Sequence, residues 1–362
     1  MAYTTIDDPS AHFQTLIYTG NNTARDLTND GNSDLQPDLL WLKGRDIVSD
    51  HGLIDSTRGI KKVLWGNHNN AEVTSGGSSD VTAINSDGFS VGTSHQIDSN
   101  SNTKLLVAWQ WKANGGTRST FTESGANPGG GYQANTTGGF SIVDYTGTGA
   151  AGTMAHGLGA VPHVIFVKSR SGAADSDGDW NVYHHKNTSA PETDFLILNE
   201  TTATQDAANR WNDTAPTSSV FTVGTTTRVN EDADNYIAYC FAPIQGYSKF
   251  GSYTGNGASD GTFVYTGFKT AWVMVKKTSA SGSSWLIFDN KRPGYNGTGH
   301  RLYANATDTE DTDTGDSVDL LSNGFKFRGG SSSSNQNAAT FIYMAFAEHP
   351  FVSSEGVPCT AR

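Results

Sequence analysis

Short runs of apolar residues recur along the chain, separated by polar stretches rich in Gly, Asn, Asp, Ser and Thr. Leu39-Leu40-Trp41-Leu42, Val164-Ile165-Phe166-Val167 and Trp272-Val273-Met274-Val275 are three such runs. Each is followed by a lysine: Lys43, Lys168 and Lys276. Runs this short, rich in β-branched and aromatic residues and bounded by turn formers, predict strands. Because these runs are uninterrupted, they predict central strands covered on both faces, not strands with one wet face. Pro37 and Pro162 stand just before two of them, where the missing N–H costs little. Helical periodicity is scarce, and the polar stretch 201–211 is the best helix candidate.

The runs belong to a repeat. Six anchors appear three times in one order. Tyr18-Thr19-Gly20, Tyr145-Thr146-Gly147 and Tyr253-Thr254-Gly255 come first, and the lysine-ending runs follow. Next are strand ends at Asp55, His184 and Asp289, then Asn67, Asn199 and Asn305. Phe89, Phe221 and Phe325 come fifth, and the apolar runs 105–111, 236–241 and 341–346 close each copy. The lysines step by about 125 and then about 108 residues, too long for a solenoid unit and right for a small domain. The reading is an all-β chain of three tandem antiparallel β-sandwich domains over 1–116, 129–247 and 248–352, with a tail over 353–362. A Gly-rich linker, 114–131, joins the first two, and almost no spacer separates the second from the third.

Composition agrees with that picture. Eight Trp, 13 Tyr and 17 Phe are too many large rings for a disordered chain. A net charge of −12 repels phosphate backbones and argues against nucleic acid as a partner. No apolar run approaches the length needed to span a bilayer, and the first residues carry no signal-peptide pattern. Cys240 lies in an apolar run and Cys359 near the end. Two distant cysteines make no disulfide framework, so both are expected to be free.

Candidate chemistry is sparse. Glycoside hydrolysis needs two positioned carboxylates. Asp55 and Asp289 occupy matching strand ends, but His184 stands there in the middle copy. Arg58 and Arg292, three residues on, make turn ion pairs the simpler reading. No nucleophile elbow, phosphate loop or His-Glu-x-x-His motif is present, so an enzyme is not expected and no cofactor is implied. Asp311, Asp313 and Asp316 are weak Ca candidates, as is the run from Asp175 to Asp179, since hard cations take closely spaced oxygens. Position twelve counted from Asp311 is Ser322, not the bidentate Glu of an EF-hand. Trp111, Trp272 and Trp285 sit in strand anchors and read as core. Trp211 lies outside the anchors and is the candidate for an exposed aromatic contact with a ligand.

Two copies carry a resemblance. Gly138 to Gly147, Ala155-His156-Gly157-Leu158-Gly159, Pro162 to Lys168, Tyr247 to Gly257 and Ala345 to Glu348 resemble modules of virion structural, tail-fibre-like proteins from marine tailed bacteriophages. The resemblance implies SPRY-like or concanavalin-like sandwiches and a non-enzymatic component of the virion surface. It implies a tail fibre or receptor-binding protein contacting host glycans, or else a capsid decoration or head-fibre protein. It further implies assembly in the host cytoplasm, other virion proteins as partners and a homotrimer, although three internal copies could equally make a pseudo-threefold monomer. A glycan-hydrolysing enzyme is the rival from another class. The first copy lacks the His-Gly-Leu-Gly segment and carries Asn29 to Gln36 instead, which makes it the candidate for docking to the virion.

Overall fold

The structure is a computed structural model that describes residues 2–94, 96–171, 178–297 and 299–360. It is all-β, and the anchors form its strands. The first repeat's large sheet holds β1 (Phe13–Thr19), β3 (Leu39–Gly44), β4 (Gly52–Asp55), β5 (Lys62–Trp65), β6 (Val73–Thr74) and β9 (Leu105–Trp111). Its order is β1-β9-β3-β4-β5-β6. A small sheet, β2 (Arg25–Leu27), β8 (Phe89–Val91) and β7 (Val81–Ile84), lies across from it.

In the second repeat the large sheet is built from β10 (Ser119–Phe121), β11 (Gly129–Asn135), β12 (Phe140–Thr146), β14 (Val164–Ser169), β15 (Asn181–His184), β16 (Asp194–Ile197), β17 (Gln205–Asp206) and β19 (Asn235–Phe241). Their order is β10-β11-β12-β19-β14-β15-β16-β17, with β13 (Gly152–Ala155) and β18 (Val220–Val223) forming the small sheet. The third repeat orders its large sheet β20 (Ser248–Thr254), β27 (Thr340–Pro350), β22 (Phe268–Lys277), β23 (Leu286–Asp289), β24 (Leu302–Tyr303). Its small sheet is β21 (Phe263–Tyr265), β26 (Gly324–Phe327) and β25 (Val318–Leu321). Every named strand pair is antiparallel.

Side chains alternate across a strand, and the closing strands show what that alternation serves. On β9, Ala108 faces the first repeat's small sheet, where it joins Leu40, Leu42, Phe89 and Val91. Val107, Trp109 and Trp111 face the other way. β19 divides in the same manner, with Tyr236, Ala238 and Cys240 turned inward to their own repeat and Ile237, Tyr239 and Phe241 outward. β27 repeats the division with Phe341, Tyr343 and Ala345 against Ile342, Met344 and Phe346. The outward sets of all three repeats merge into one central cluster. There Trp111 meets Phe13, Phe241, Trp272 and Phe346, with ring centroids 5.0 to 6.2 Å apart. The continuous apolar runs are therefore covered on one face by their own small sheet and on the other by the neighbouring repeats.

Two sequence expectations need correction. Residues 201–211 form no helix. They contain β17 and turns, since Gln205 and Asp206 pair with the edge of β16. The linker 114–131 is not a bare spacer either. It contains all of β10 and the start of β11, which pairs with β12 over seven residues. Glycine explains why the pattern hid this: Gly129, Gly130 and Gly131 carry no apolar signal. A Cβ on Gly130 would meet Asp144 O at 2.0 Å, so only glycine lets the strands approach.

Candidate functional site

The repeats meet at three junctions built from matched residues. Asn67, Asn199 and Asn305 each accept, at 2.8 Å, the backbone N–H of the residue just before β4, β15 or β23: His51, Trp180 and Trp285. Those side chains then reach into the neighbouring repeat. Trp180 Nε1 donates to Trp65 O at 2.8 Å, and Trp285 Nε1 to Ile197 O at 2.9 Å. His51 holds the same position in the first repeat. Its Nε2 lies 3.2 Å from Ala306 O, and its Nδ1 accepts from Trp41 Nε1 at 2.9 Å. The second repeat thus grips the first, the third grips the second, and the first grips the third. The ring closes within one chain.

The anchor lysines sit at the same seams, fully buried. Lys43 Nζ donates to Ser49 O at 2.7 Å and, across the junction, to Thr307 O at 2.8 Å. Lys168 donates to Gly178 O and to His68 O of the first repeat, and Lys276 to Ser283 O. Burial pushes the Lys43 and Lys276 amines down to about 8 and that of Lys168 down to about 7.

Arg58 Nε pairs with Asp55 Oδ2, and Arg292 Nε with Asp289 Oδ2 at 2.6 Å, all four side chains fully buried. Neighbouring repeats complete these pairs. Tyr239 OH donates to Asp55 Oδ2 at 2.8 Å and Trp109 Nε1 to Asp289 Oδ2 at 3.0 Å. In the middle repeat the ring of His184 lies 3.1 Å from Tyr343 O instead, and burial pushes it down to about 3. The turn ion pairs expected from sequence are present, and both carboxylates are consumed by packing partners. Farther out, Glu72 takes Arg58 and Arg170, and Glu310 takes Arg292 and Arg45. Burial alone would raise the Glu310 carboxyl, but the two arginines and His300 outweigh it and bring it down to about 2.

Asp311, Asp313 and Asp316 converge on a cation the chain supplies itself. Arg301 lies 2.7, 3.6 and 2.9 Å from their carboxylates. Among the described residues no group of three or more His, Cys, Asp or Glu is arranged to hold a metal ion. Asp175 and Asp177 lie outside the described residues, and Asp179 is buried against Arg228 and Asn199. Trp211 is not an exposed contact. It is 2% exposed, packs edge-on to Tyr183 and donates to Asp194 O at 3.0 Å. Trp111, Trp272 and Trp285 are core, and both cysteines are free.

A seventh anchor escaped the sequence reading. Asn100, Asn230 and Asn335 are wholly buried. Each donates from its side-chain amide to two backbone carbonyls of its own repeat, Gly92 O and Thr23 O in the first. Just before them, Ser99 O, Val229 O and Ser334 O accept the hydroxyls of Tyr18, Tyr145 and Tyr253. The available signal was an asparagine recurring shortly before each closing strand.

Each junction also carries the strand paired with the closing strand of one large sheet: β1, β12 or β20. Their equivalence follows from the residue before each. His12 O, Gly139 O and Tyr247 O accept from Lys112, Ala242 and Ala347 at 3.0, 2.8 and 2.8 Å. Facing them across the junction stand Asn290, Ser56 and His185. These residues match because their N–H groups donate to Ala271 O, Asp38 O and His163 O. At the β12 junction the gap is filled by β11. Gln133 on β11 donates to Ser56 Oγ at 2.7 Å and Thr57 Oγ1 at 2.5 Å, and accepts from Gly116 N at 3.0 Å. The other two gaps are open. The one beside β1 holds 390 Å³ and is bridged at its mouth by the Lys291–Asp30 pair at 2.9 Å. The one beside β20 holds 540 Å³ between His185 and Lys186 on one wall and the half-exposed rings of Phe263 and Tyr265 on the other. There His163 and His185 stack at 3.6 Å, and burial pushes His163 down to about 4.

Residues 8–350 match DUF7483, a domain of unknown function. The chain belongs to that family. The match spans all three repeats, so the family unit is the whole ring. No curated protein and no solved structure matches the chain.

Proposed function

We propose that this DUF7483 protein is a non-enzymatic component of a bacteriophage virion surface, a tail fibre or tail-associated receptor-binding protein whose loops contact host glycans. The observation that carries this reading is the resemblance of 138–147, 155–159, 162–168 and 247–257 to virion modules. The reading treats the repeats as three sandwich modules over 1–116, 129–247 and 248–352, presenting acidic loops on a rigid frame. Loops held on rigid scaffolds are where recognition is commonly placed. It includes other virion proteins as partners, the segment 29–36 of the first repeat as a docking element, and three chains around one axis on the particle. No bound calcium is required, because Arg301 already neutralises the acidic cluster at Asp311.

A second reading, capsid decoration or a head fibre, is favoured by one observation: the repeats close on a common core instead of extending into a shaft. Electron microscopy of particles labelled at the C-terminus separates the two. Label on the tail supports the first, and label confined to the head supports the second. A glycan array with the purified chain tests the ligand class, and release of reducing sugar would overturn the non-enzymatic assignment. Light scattering at three times 38.5 kDa supports the trimer, and a monomer mass removes it.

A further inference from the structure

The three junctions are equivalent in construction and unequal in occupancy, and the filled one shows what fits the open ones. At the filled junction β11 lies antiparallel to β12, with Gln133 opposite Ile142 and Gly131 opposite Asp144. The matching residues of β20 are Phe250 and Ser252, by the equivalence of Gly139 and Tyr247. Their backbone groups face away from β27. Tyr247 O and Gly255 N bond towards β27 and the residue before it, at Ala347 N and Ala339 O, so the odd-numbered residues between them point inward and the even-numbered ones outward. β20 is thus an unpaired sheet edge, a template for another strand.

We propose that the groove between β20 and β21 takes an extended segment of a separate protein chain, paired antiparallel with β20 as β11 pairs with β12, and with an acidic side chain at the place of Gln133. The charge follows from the neighbouring residues. Gln133 meets the neutral Ser56 and Thr57, whereas the corresponding residues at the open groove are His185 and Lys186. Lys186 is exposed and forms no ion pair among the described residues. Lys249 adds a second cation, its Nζ over the Tyr265 ring at 5.1 Å, and no carboxylate among the described residues lines the groove. His185 Nε2 lies 2.9 Å from Phe250 O, where the amide of a pairing residue would stand. A carbonyl has two lone pairs, so the ring can share that oxygen or leave it. Strand addition of this kind draws affinity from main-chain bonds and selectivity from side-chain pockets.

The test uses the full chain and a fluorescent synthetic peptide of residues 128–136 carrying Gln133→Glu. Fluorescence anisotropy should rise and saturate, and the unmodified 128–136 peptide should bind more weakly. Lys186→Glu, at an exposed position, should weaken the acidic peptide roughly tenfold, the loss of one charge-assisted contact. A peptide carrying Gln133→Lys should recover binding to that variant. Ser252→Pro removes only an outward N–H, which edge strands tolerate, and should abolish pairing while the melting curve stays intact. If Ser252→Pro does not fold, the charge swap alone decides. The proposal is overturned if the acidic peptide fails to saturate at millimolar concentration, or if the charge swap has no effect. It is also overturned if oligosaccharides bind the groove where the peptide does not, or if Lys186→Glu disperses a self-association of the chain, which would make the occupant a second copy. Particle labelling can fail with the peptide bound, so this inference and the virion reading are separately testable.

Discussion

Asp55 and Arg58 sit three residues apart, fully buried, and each also touches a tyrosine from another repeat. Arg58→Ala would leave a buried carboxylate with no cation, held only by the Tyr239 phenol and the backbone N–H of residue 58, and should cost about 3–5 kcal/mol, read as a lower denaturation midpoint at unchanged slope. The buried lysines make stability depend on pH. Above about pH 7 the folded Lys168 amine is neutral, while an unfolded lysine keeps its proton to about pH 10.4. The unfolded state then holds more protons, so this residue's contribution rises as pH increases through that window. Melting temperatures of wild type and Lys168→Met, compared from about pH 6.5 to about pH 9, should shift in favour of wild type as pH rises. The buried histidines act on the acid side. His163 and His184 stay neutral when folded down to about 4 and about 3, whereas unfolded histidines take up protons near pH 6.5. Stability should therefore fall as pH drops below about 6.5, and His184→Gln should flatten that fall in urea titrations.

At the scale of the element, the central strands were legible because each is an unbroken apolar run, and the turn pairs were legible because an aspartate at a strand end preceded an arginine by three residues. β11 was not legible. Its glycines look like a linker, and its role depends on Ser56 and Thr57, far away in sequence. Asp38 ties the same segment down, accepting from Ala113 N at 2.7 Å and Gly115 N at 2.9 Å. Gln133→Ala should strip the contacts to Ser56 and Thr57 and lower stability by about 1–3 kcal/mol. Hydrogen exchange in β10 and β11 should then rise more than in β19. Trp211 was misread for a related reason. Its polar neighbours, Asn209, Arg210, Asn212 and Asp213, gave no hint that the ring folds back under Tyr183.

For the whole molecule, the shared core makes the repeats depend on one another. Trp111 packs against rings from all three, so Trp111→Ala should cost about 3–5 kcal/mol. It should move one calorimetric transition for the whole chain, not one of three. Residues 129–247 expressed alone would expose Phe166, Tyr239 and Phe241, and should bind a hydrophobic dye and aggregate where the full chain does not. The amino-acid sequence by itself determined the strand class, the threefold repetition and which apolar runs would be core, because period, composition and turn chemistry are local. Only the tertiary structure decided what covers the second face of each large sheet, that the repeats close into a ring, and that one junction is filled while two stay open. Those outcomes rest on contacts between residues far apart in the sequence, such as Trp109 with Asp289, Lys168 with His68 and Gln133 with Ser56, and no local pattern encodes which distant surface a strand will meet.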